Sequence, residues 1–190
     1  MKAKETLIIS AGSNAQSIVD IIYQQNNHIN YLYLDYEKQV INTNNSKTIW
    51  FNNLKFLKTK YDVKDYEEVL LSRTSKFKEI ISNFKNILII SCIGENYSSN
   101  TLFSLIEYFE KNNINHSIFI IKPSSFNGRK QNEQAIKALD KLDNIQYSLG
   151  KDLFIFDCND IINKEPKSIS EAISISNKKA SEAIKLILET

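Results

Sequence analysis

The segment that most constrains the fold is a strand, a polar loop and a helix in direct succession. Residues 117–121 form a short, β-branched apolar run, which predicts a buried parallel strand. The loop that follows, 122–130, contains Pro123, which cannot donate to a β-ladder, and Gly128, which permits a positive φ. Residues 131–142 then place their apolar side chains on one helical face. Such a unit is typical of one half of a nucleotide-type α/β fold.

The same alternation of short apolar runs and amphipathic stretches extends along the whole chain. We predict strands at 6–10, 30–34, 47–51, 86–92, 117–121 and from 153 onward. We predict a helix that ends near 25, a polar loop at 52–62, and helices at 63–71, 75–84, 98–111, 131–142 and 168–189. The last helix, of about 20 residues, would be about 30 Å long. This pattern predicts one α/β domain over 1–190, with a three-layer, doubly wound, mostly parallel sheet and a long C-terminal helix.

The composition limits the classes of partner. Of the 190 residues, 42% are hydrophobic and 24% are charged, as in ordinary globular domains. A formal charge of +2 is too small to favour nucleic acid or an anionic membrane surface, and no apolar run approaches the roughly 20 residues of a membrane span. Cys92 and Cys158 end predicted buried strands without metal-ligand spacing, which predicts reduced core thiols, no metal site and a cytoplasmic location.

Two segments are similar to the FtsZ/tubulin superfamily. The loop and helix at 122–139 resemble that family's fifth loop, which reads Lys-Pro-Phe-x-Phe-Glu-Gly, then basic residues, then a helix. The matching residues are Lys122, Pro123, Phe126, Gly128, Arg129, Lys130, Ala135, Ile136 and Leu139. Residues 153–160 resemble the family's next strand, which ends in Pro-Asn-Asp. The resemblance implies a Rossmann-like N-terminal nucleotide-binding domain, a cytoskeletal or cell-division role, and GTP or GDP as the nucleotide that such a domain binds.

The first loop that the resemblance assigns to phosphate lies at 12–14. Gly12, Ser13 and Asn14 resemble the end of the family's glycine run, which is followed by Asn-Ala, but only one glycine of the run is present. The same residues equally fit an ordinary strand-to-helix turn in which Asn14 is the helix N-cap.

The second such loop lies where the family has Gly-Gly-Gly-Thr-Gly-Thr-Gly. Only Gly94 matches that signature, and Glu95 would place a carboxylate against the phosphates. Ser98 and Ser99 could contact a phosphate or cap the following helix. We favour capping, because a phosphate cradle needs glycines for close backbone approach.

The third loop would face the ribose. Asn127 stands where the family has a glutamate that contacts the sugar, and Gln131 stands where it has an arginine. Gly128 and the neighbouring cation Arg129 are retained. An asparagine can still hydrogen-bond a sugar hydroxyl, but the family's charge pattern is lost.

The resemblance also assigns residues to the base. Asn159 matches an asparagine that helps to read guanine, Ile173 falls at the aromatic that stacks on it, and Lys178 falls at the aspartate that accepts from it. Lysine cannot accept the two donors of guanine, which predicts that guanine selectivity is lost.

The segments on which hydrolysis depends in this family are not matched in the sequence. The family's Ala-Gly-rich third phosphate loop has no counterpart at 71–75, and the sequence ends where the long helix would lead to a catalytic loop and a second domain. We therefore expect no catalytic residue and favour a non-enzymatic role; GTPase is the enzyme class that the resemblance implies.

Three functional hypotheses follow. The first is an FtsZ-like pseudo-GTPase with a degenerate nucleotide site, acting as a binding or regulatory module on full-length FtsZ-like filament subunits or by self-association. The second is a GTP-binding FtsZ-type protein with weak or partner-dependent GTPase activity. The third is an unrelated Rossmann-like enzyme that binds a dinucleotide or methyl donor through Asp35. His28 and His116 are predicted to lie in surface turns as bystanders.

Overall fold

The computed structural model describes residues 5–25, 30–35, 47–50, 74–149, 152–160 and 168–189. Strands and helices alternate along these residues. The strands are β1 Thr6–Ala11, β2 Asn30–Asp35, β3 Lys47–Trp50, β4 Asn86–Cys92, β5 His116–Lys122 and β6 Leu153–Asp157. The helices are α1 Ser13–Gln25, α2 Thr74–Ile81, α3 Asn96–Lys111, α4 Arg129–Leu149 and α5 Ile169–Glu189. Short 3-10 turns follow β5 at Ser125–Asn127 and β6 at Cys158–Asp160.

The strands form one sheet in the order β3-β2-β1-β4-β5-β6. Every paired neighbour in it is parallel, so the predicted mostly parallel, doubly wound sheet is confirmed. Strands β2 and β3 lie on one side of β1, and β4, β5 and β6 lie on its other side. The strand order therefore reverses between β1 and β4, and the crevice at their carboxyl ends is where ligands bind in such sheets.

Helices cover both faces of the sheet, which confirms the three-layer arrangement. Along β1, Leu7 and Ile9 point into a core shared with α2, α3 and α4, whereas Ile8 points into a core shared with α1 and α5. This alternation follows from the two-residue period of a strand that is buried on both faces. Helix α3 is buried along most of its length, and α5 is the predicted long C-terminal helix.

Several predictions differ from the structure. The helix predicted at 75–84 is Thr74–Ile81, and Ser98 and Ser99 do not cap α3, because it begins at Asn96 with Glu95 as its N-cap residue. Helix α4 spans Arg129–Leu149 rather than 131–142, because the apolar period marks only the part packed on the sheet. His116 was expected in a surface turn, which is wrong: it is the first residue of β5 and is buried, with Nδ1 2.9 Å from the Ile114 carbonyl oxygen. The predicted loop at 52–62, the helix at 63–71, His28 and the Asp35 side chain lie outside the described residues.

Two features are absent from the described residues. No described helix is long and apolar enough to cross a membrane. Within the same part of the chain, no group of three or more His, Cys, Asp or Glu side chains could hold a metal ion.

Candidate functional site

The first loop packs directly on the start of α3. Gly12 has a φ of +92°, and its N–H donates to the Leu34 carbonyl oxygen at 3.0 Å. A Cβ at Gly12 would lie 2.3 Å from Ser98 Oγ, and Ser98 itself is only 1% exposed. The space above Gly12, where a phosphate could approach the backbone, is therefore filled by the Ser98 hydroxyl.

The second loop is covered by α4 in a similar way. Gly94 has a φ of +108°, and a Cβ there would lie 2.8 Å from the carbonyl oxygen of Gln131 and 2.9 Å from its Cγ. Glycine is required here because the two backbones approach so closely. Gly94 therefore allows helix-to-loop packing at the place where the resemblance implies a phosphate cradle.

A carboxylate joins these two loops. Glu95 Oε1 accepts long hydrogen bonds from Asn14 Nδ2 at 3.3 Å and from Gln131 Nε2 at 3.5 Å. Glu95 is the N-cap residue of α3, but its side chain makes no capping bond to that helix. The carboxylate instead links the first loop to α4 across the N-terminal end of α3. That end attracts anions, because its backbone N–H groups and the helix dipole are positive.

The third loop is held by its own side chains. Ser124 N–H and Ser124 Oγ both donate to Asn127 Oδ1, at 3.0 and 2.9 Å. Asn132 Nδ2 donates to the carbonyl oxygens of Ser124 and Gly128, each at 3.0 Å. The side-chain oxygen of Asn127, which the resemblance assigns to the ribose, is therefore engaged in holding the loop. Phe126, at the tip, is 52% exposed.

A chain of hydrogen bonds ties the third loop to β6. Asn159 Oδ1 accepts from the Ser125 N–H at 2.8 Å, while the Asn159 backbone N–H and Nδ2 donate to Asp157 Oδ1 at 2.9 and 3.0 Å. The other carboxylate oxygen of Asp157 accepts from Lys122 Nζ at 2.5 Å. Partial burial raises the pKa of Asp157, but the bonds from Lys122 and Asn159 outweigh it and leave that pKa below its usual value.

The Lys122–Asp157 ion pair is a feature that sequence reasoning missed. The two residues end adjacent strands and are direct register partners. The signal that could have found them is a pair of opposite charges at the last positions of two neighbouring predicted strands, since cross-strand partners lie within contact distance.

A cleft of about 90 Å³ lies between the third loop, α5 and the ends of β4, β5 and β6. This volume is below the roughly 300–1,000 Å³ of typical small-molecule sites. The lining side chains that the structure describes are all uncharged: asparagine, glutamine, serine, aliphatic residues, a proline and two thiols. Burial raises the pKa of both Cys92 and Cys158, so these thiols are neutral at physiological pH.

The structure brings some of the predicted site residues together and separates others. Asn14, Asn127 and Ile173 line the cleft. Arg129 points outward with its side chain 92% exposed and pairs with Glu133 at 2.6 Å. Lys178 is exposed and is absent from the lining, where its neighbour Asn177 stands instead.

The remaining predicted residues have backbone roles. Ser13 begins α1 and accepts from Ser17 Oγ at 3.3 Å, and Ser99 donates its N–H to the Glu95 carbonyl oxygen at 3.1 Å in the first turn of α3. Gly128 turns the chain into α4 with a φ of +88°. Ligand contacts for all of these residues stay predictions.

Comparisons with known proteins address the fold. No family model matches the chain, and no curated protein matches it. Among solved structures, an empty FtsZ dimer from M. jannaschii is similar at 16% identity and a TM-score of 0.75, with 100% of this chain covering 55% of that one. Clostridium botulinum phage c-st TubZ is similar at 15% identity and a TM-score of 0.63, with 98% covering 60%. CetZ from Methanosaeta thermophila is similar at 13% identity and a TM-score of 0.64, with 97% covering 54%. The chain thus spans a little over half the length of these proteins.

Proposed function

Because the chain has the FtsZ/tubulin fold, we propose that it is a cytoskeletal-type domain that acts through protein contacts and does not hydrolyse a nucleoside triphosphate. The observation that carries this proposal is the Glu95 carboxylate, which lies between Asn14 and Gln131 at the start of α3. It adds a negative charge beside the helix N-terminus, which is the kind of place that would otherwise favour a phosphate.

Two physical effects support a site that is closed to polyphosphate. Ser98 and Gln131 occupy the space beside the Cα atoms of Gly12 and Gly94, and the Gly12 N–H already donates to the Leu34 carbonyl oxygen. A phosphate oxygen about 4 Å from the Glu95 carboxylate would also be repelled by about 1 kcal/mol in water and about 4 kcal/mol near a protein surface. Among the described residues, no charged side chain lines the neighbouring cleft, so nothing in that part of the lining offsets this repulsion.

A second candidate function is GTP binding with weak or partner-dependent hydrolysis. It is favoured by one observation, namely that Ile173 and Asn177 line the same cleft. An apolar side chain beside an amide can hold a planar base and hydrogen-bond its edge. The third hypothesis, an unrelated dinucleotide- or methyl-donor enzyme, gains no support from the described loops.

The partner in this proposal is a subunit of an FtsZ-like filament or a second copy of the chain, in the cytoplasm. The loops at the carboxyl ends of the strands, 12–14, 93–98, 123–130 and 158–160, form the contact face and are called the loop face below. Its third loop is already ordered by its own hydrogen bonds, which reduces the entropy lost on association.

Equilibrium binding of fluorescent GTP, GDP and ATP in the presence of magnesium tests the nucleotide half of the proposal. We expect no saturable binding at micromolar concentrations and no release of phosphate. Micromolar binding of GTP would replace the proposal by the second candidate. A full-length FtsZ in the same assay is the positive control.

Sedimentation of full-length FtsZ-type filaments, with and without this chain, tests the contact half. We expect the chain to pellet with the filaments or to change the amount of polymer. Arg129→Glu, which reverses an exposed charge on the loop face, should weaken the effect, whereas Lys185→Glu on α5 should not. No pelleting and no change in polymer would refute a filament partner.

A further inference from the structure

A second cavity lies at the opposite end of the sheet from the candidate site, where β4 and β5 begin. Its volume is about 530 Å³, compared with about 90 Å³ for the cleft at the carboxyl ends of the strands. A strand of seven residues such as β5 separates the two ends by about 23 Å, at 3.3 Å per residue. The second cavity is therefore a separate feature, and its volume is within the roughly 300–1,000 Å³ of typical small-molecule sites.

The described walls of this cavity are apolar inside and polar at the mouth. Ile81 and Tyr108 are buried, and Phe84 and Ile114 are half-buried. The exposed residues of the lining are all polar: Lys78, Ser82, Lys85, Asn112, Asn113 and Asn115. A ligand that fits this division has an apolar body and a polar group at one end.

Both walls are held by backbone hydrogen bonds. Asn113 follows α3 with a φ of +51°, and its N–H donates to the Glu110 carbonyl oxygen at 3.1 Å. The Ile114 N–H donates to the Phe109 carbonyl oxygen at 2.8 Å, which completes the Schellman arrangement of a helix C-terminus. On the facing wall, the Phe84 N–H donates to the last carbonyl oxygen of α2 at 3.1 Å. A cavity with walls ordered in this way loses little entropy when a ligand binds.

A buried hydroxyl in the lining lacks a hydrogen-bond partner. Tyr108 is 2% exposed, and its hydroxyl has no partner among the described residues. Burial raises the pKa of Tyr108, so the phenol stays protonated at physiological pH and can donate. An unsatisfied buried donor is costly, so an acceptor supplied by a ligand is favoured at this wall.

The charges around the mouth favour an anion. Lys78 and Lys85 both line the cavity, and Glu5, which pairs with Lys85 at 3.1 Å, offsets one of the two positive charges. The C-terminal ends of α2 and α3 carry a partial negative charge, but the Tyr108 carbonyl oxygen already accepts from Asn112 Nδ2 at 2.7 Å, and the turns described above bond other terminal carbonyls. A carboxylate suits this lining, because its two oxygens can accept from a phenol and from a lysine at once.

We propose that this cavity binds a small organic acid. Its apolar body lies against Ile81, Phe84 and Ile114, and its carboxylate accepts from the Tyr108 hydroxyl and faces Lys78. The site is independent of the loop face and of the contact role proposed for that face, so either can fail without the other.

Titration of the isotope-labelled chain with octanoate, followed by two-dimensional NMR, tests the site. We expect saturable shifts at millimolar concentrations or below in the amides of 81–86 and 112–116, and none of comparable size in the loop face. Octanamide has the same chain length without the charge and should bind at least about fivefold more weakly. Butyrate keeps the charge on a shorter chain and should bind more than about tenfold more weakly.

Two variants separate a ligand contact from a structural role. Tyr108→Phe removes the hydroxyl alone, so the melting temperature of the free chain should be unchanged or higher, whereas octanoate should bind about tenfold more weakly. Lys78→Gln should weaken the binding of octanoate about two- to fivefold. The matched controls are Tyr23→Phe, which lies on the other face of the sheet, and Lys137→Gln on α4; both should bind octanoate like the wild type.

Shifts confined to the loop face, equal affinities for octanoate and octanamide, or the absence of saturable shifts would overturn the proposal. A Tyr108→Phe variant that binds octanoate as tightly as the wild type would also overturn it. So would a loss of stability in this variant without octanoate, since the hydroxyl would then have a structural partner. Sedimentation with filaments tests the proposed function separately and does not depend on these results.

Discussion

Replacing Gly12 with alanine measures how tightly the first loop is closed. Gly12 has a φ of +92°, and an added Cβ would lie 2.3 Å from Ser98 Oγ and 3.2 Å from Ser98 Cβ. A backbone in this region costs a non-glycine residue about 1–3 kcal/mol, and forcing an extra methyl group into packed structure costs about 1–3 kcal/mol more. Alanine recovers about 0.4–1 kcal/mol by restricting the unfolded chain. We therefore expect Gly12→Ala to lower the free energy of unfolding by about 1–5 kcal/mol.

Gly128 is the matched control for this substitution. It has a φ of +88° and a ψ of 159°, and a Cβ there would meet no atom within 4 Å. Gly128→Ala thus carries the backbone strain without the steric overlap, and it should cost about 1–3 kcal/mol less than Gly12→Ala. Ser98→Ala removes the hydroxyl oxygen from above Gly12. The double variant should therefore have a free energy of unfolding at least about 1 kcal/mol higher than the sum of the two single effects predicts.

Urea unfolding of the four proteins in this cycle, and of Gly128→Ala, gives each free energy of unfolding. A Gly12→Ala cost equal to that of Gly128→Ala, with a coupling energy to Ser98 below about 0.5 kcal/mol, would refute the reasoning. That result would mean that Ser98 does not cover Gly12 and that the first loop is open to a phosphate.

Three further predictions concern the same face. Glu95→Gln keeps both hydrogen bonds but removes the charge. GTP at equal concentration should therefore raise the melting temperature of this variant more than that of the wild type. Equal shifts in melting temperature would show that the carboxylate does not oppose phosphate. Gly94→Ala would bring a Cβ to 2.8 Å from the Gln131 carbonyl oxygen, so a backbone atom must move. Urea unfolding should therefore show a free energy of unfolding lower by about 2 kcal/mol or more. An unchanged free energy of unfolding would contradict the close packing. Asp157→Asn should lower the free energy of unfolding at pH 7 by about 1 kcal/mol, because the pair with Lys122 is lost. Since the folded-state pKa of Asp157 is lowered, its stabilising contribution is present above the unfolded pKa of about 3.9 and is lost as the pH falls through the folded value, so the difference from wild type should shrink below about pH 4.

The local pattern of the sequence was sufficient for the fold. The β-branched runs at β1, β4 and β5 and the amphipathic stretches between them predicted the elements, and alternation of the two implied a parallel sheet. This worked because strand and helix periods are properties of short segments and do not depend on distant contacts. The buried start of β5 at His116 was missed, since burial of a single polar residue depends on what packs over it.

The sequence alone also placed the loops of the candidate site, because the carboxyl ends of parallel strands always share one edge of the sheet. It showed that Gly94 and Glu95 stand together in the second loop, and that the glycine run is absent. Only the tertiary structure decided which side chains lie where the resemblance assigns the glycine-rich loop. Glu95 meets Asn14 and Gln131 across 81 and 36 residues of chain, and the geometry of contacts between such distant segments comes from the packing of α3 and α4 on the sheet, which no local pattern encodes.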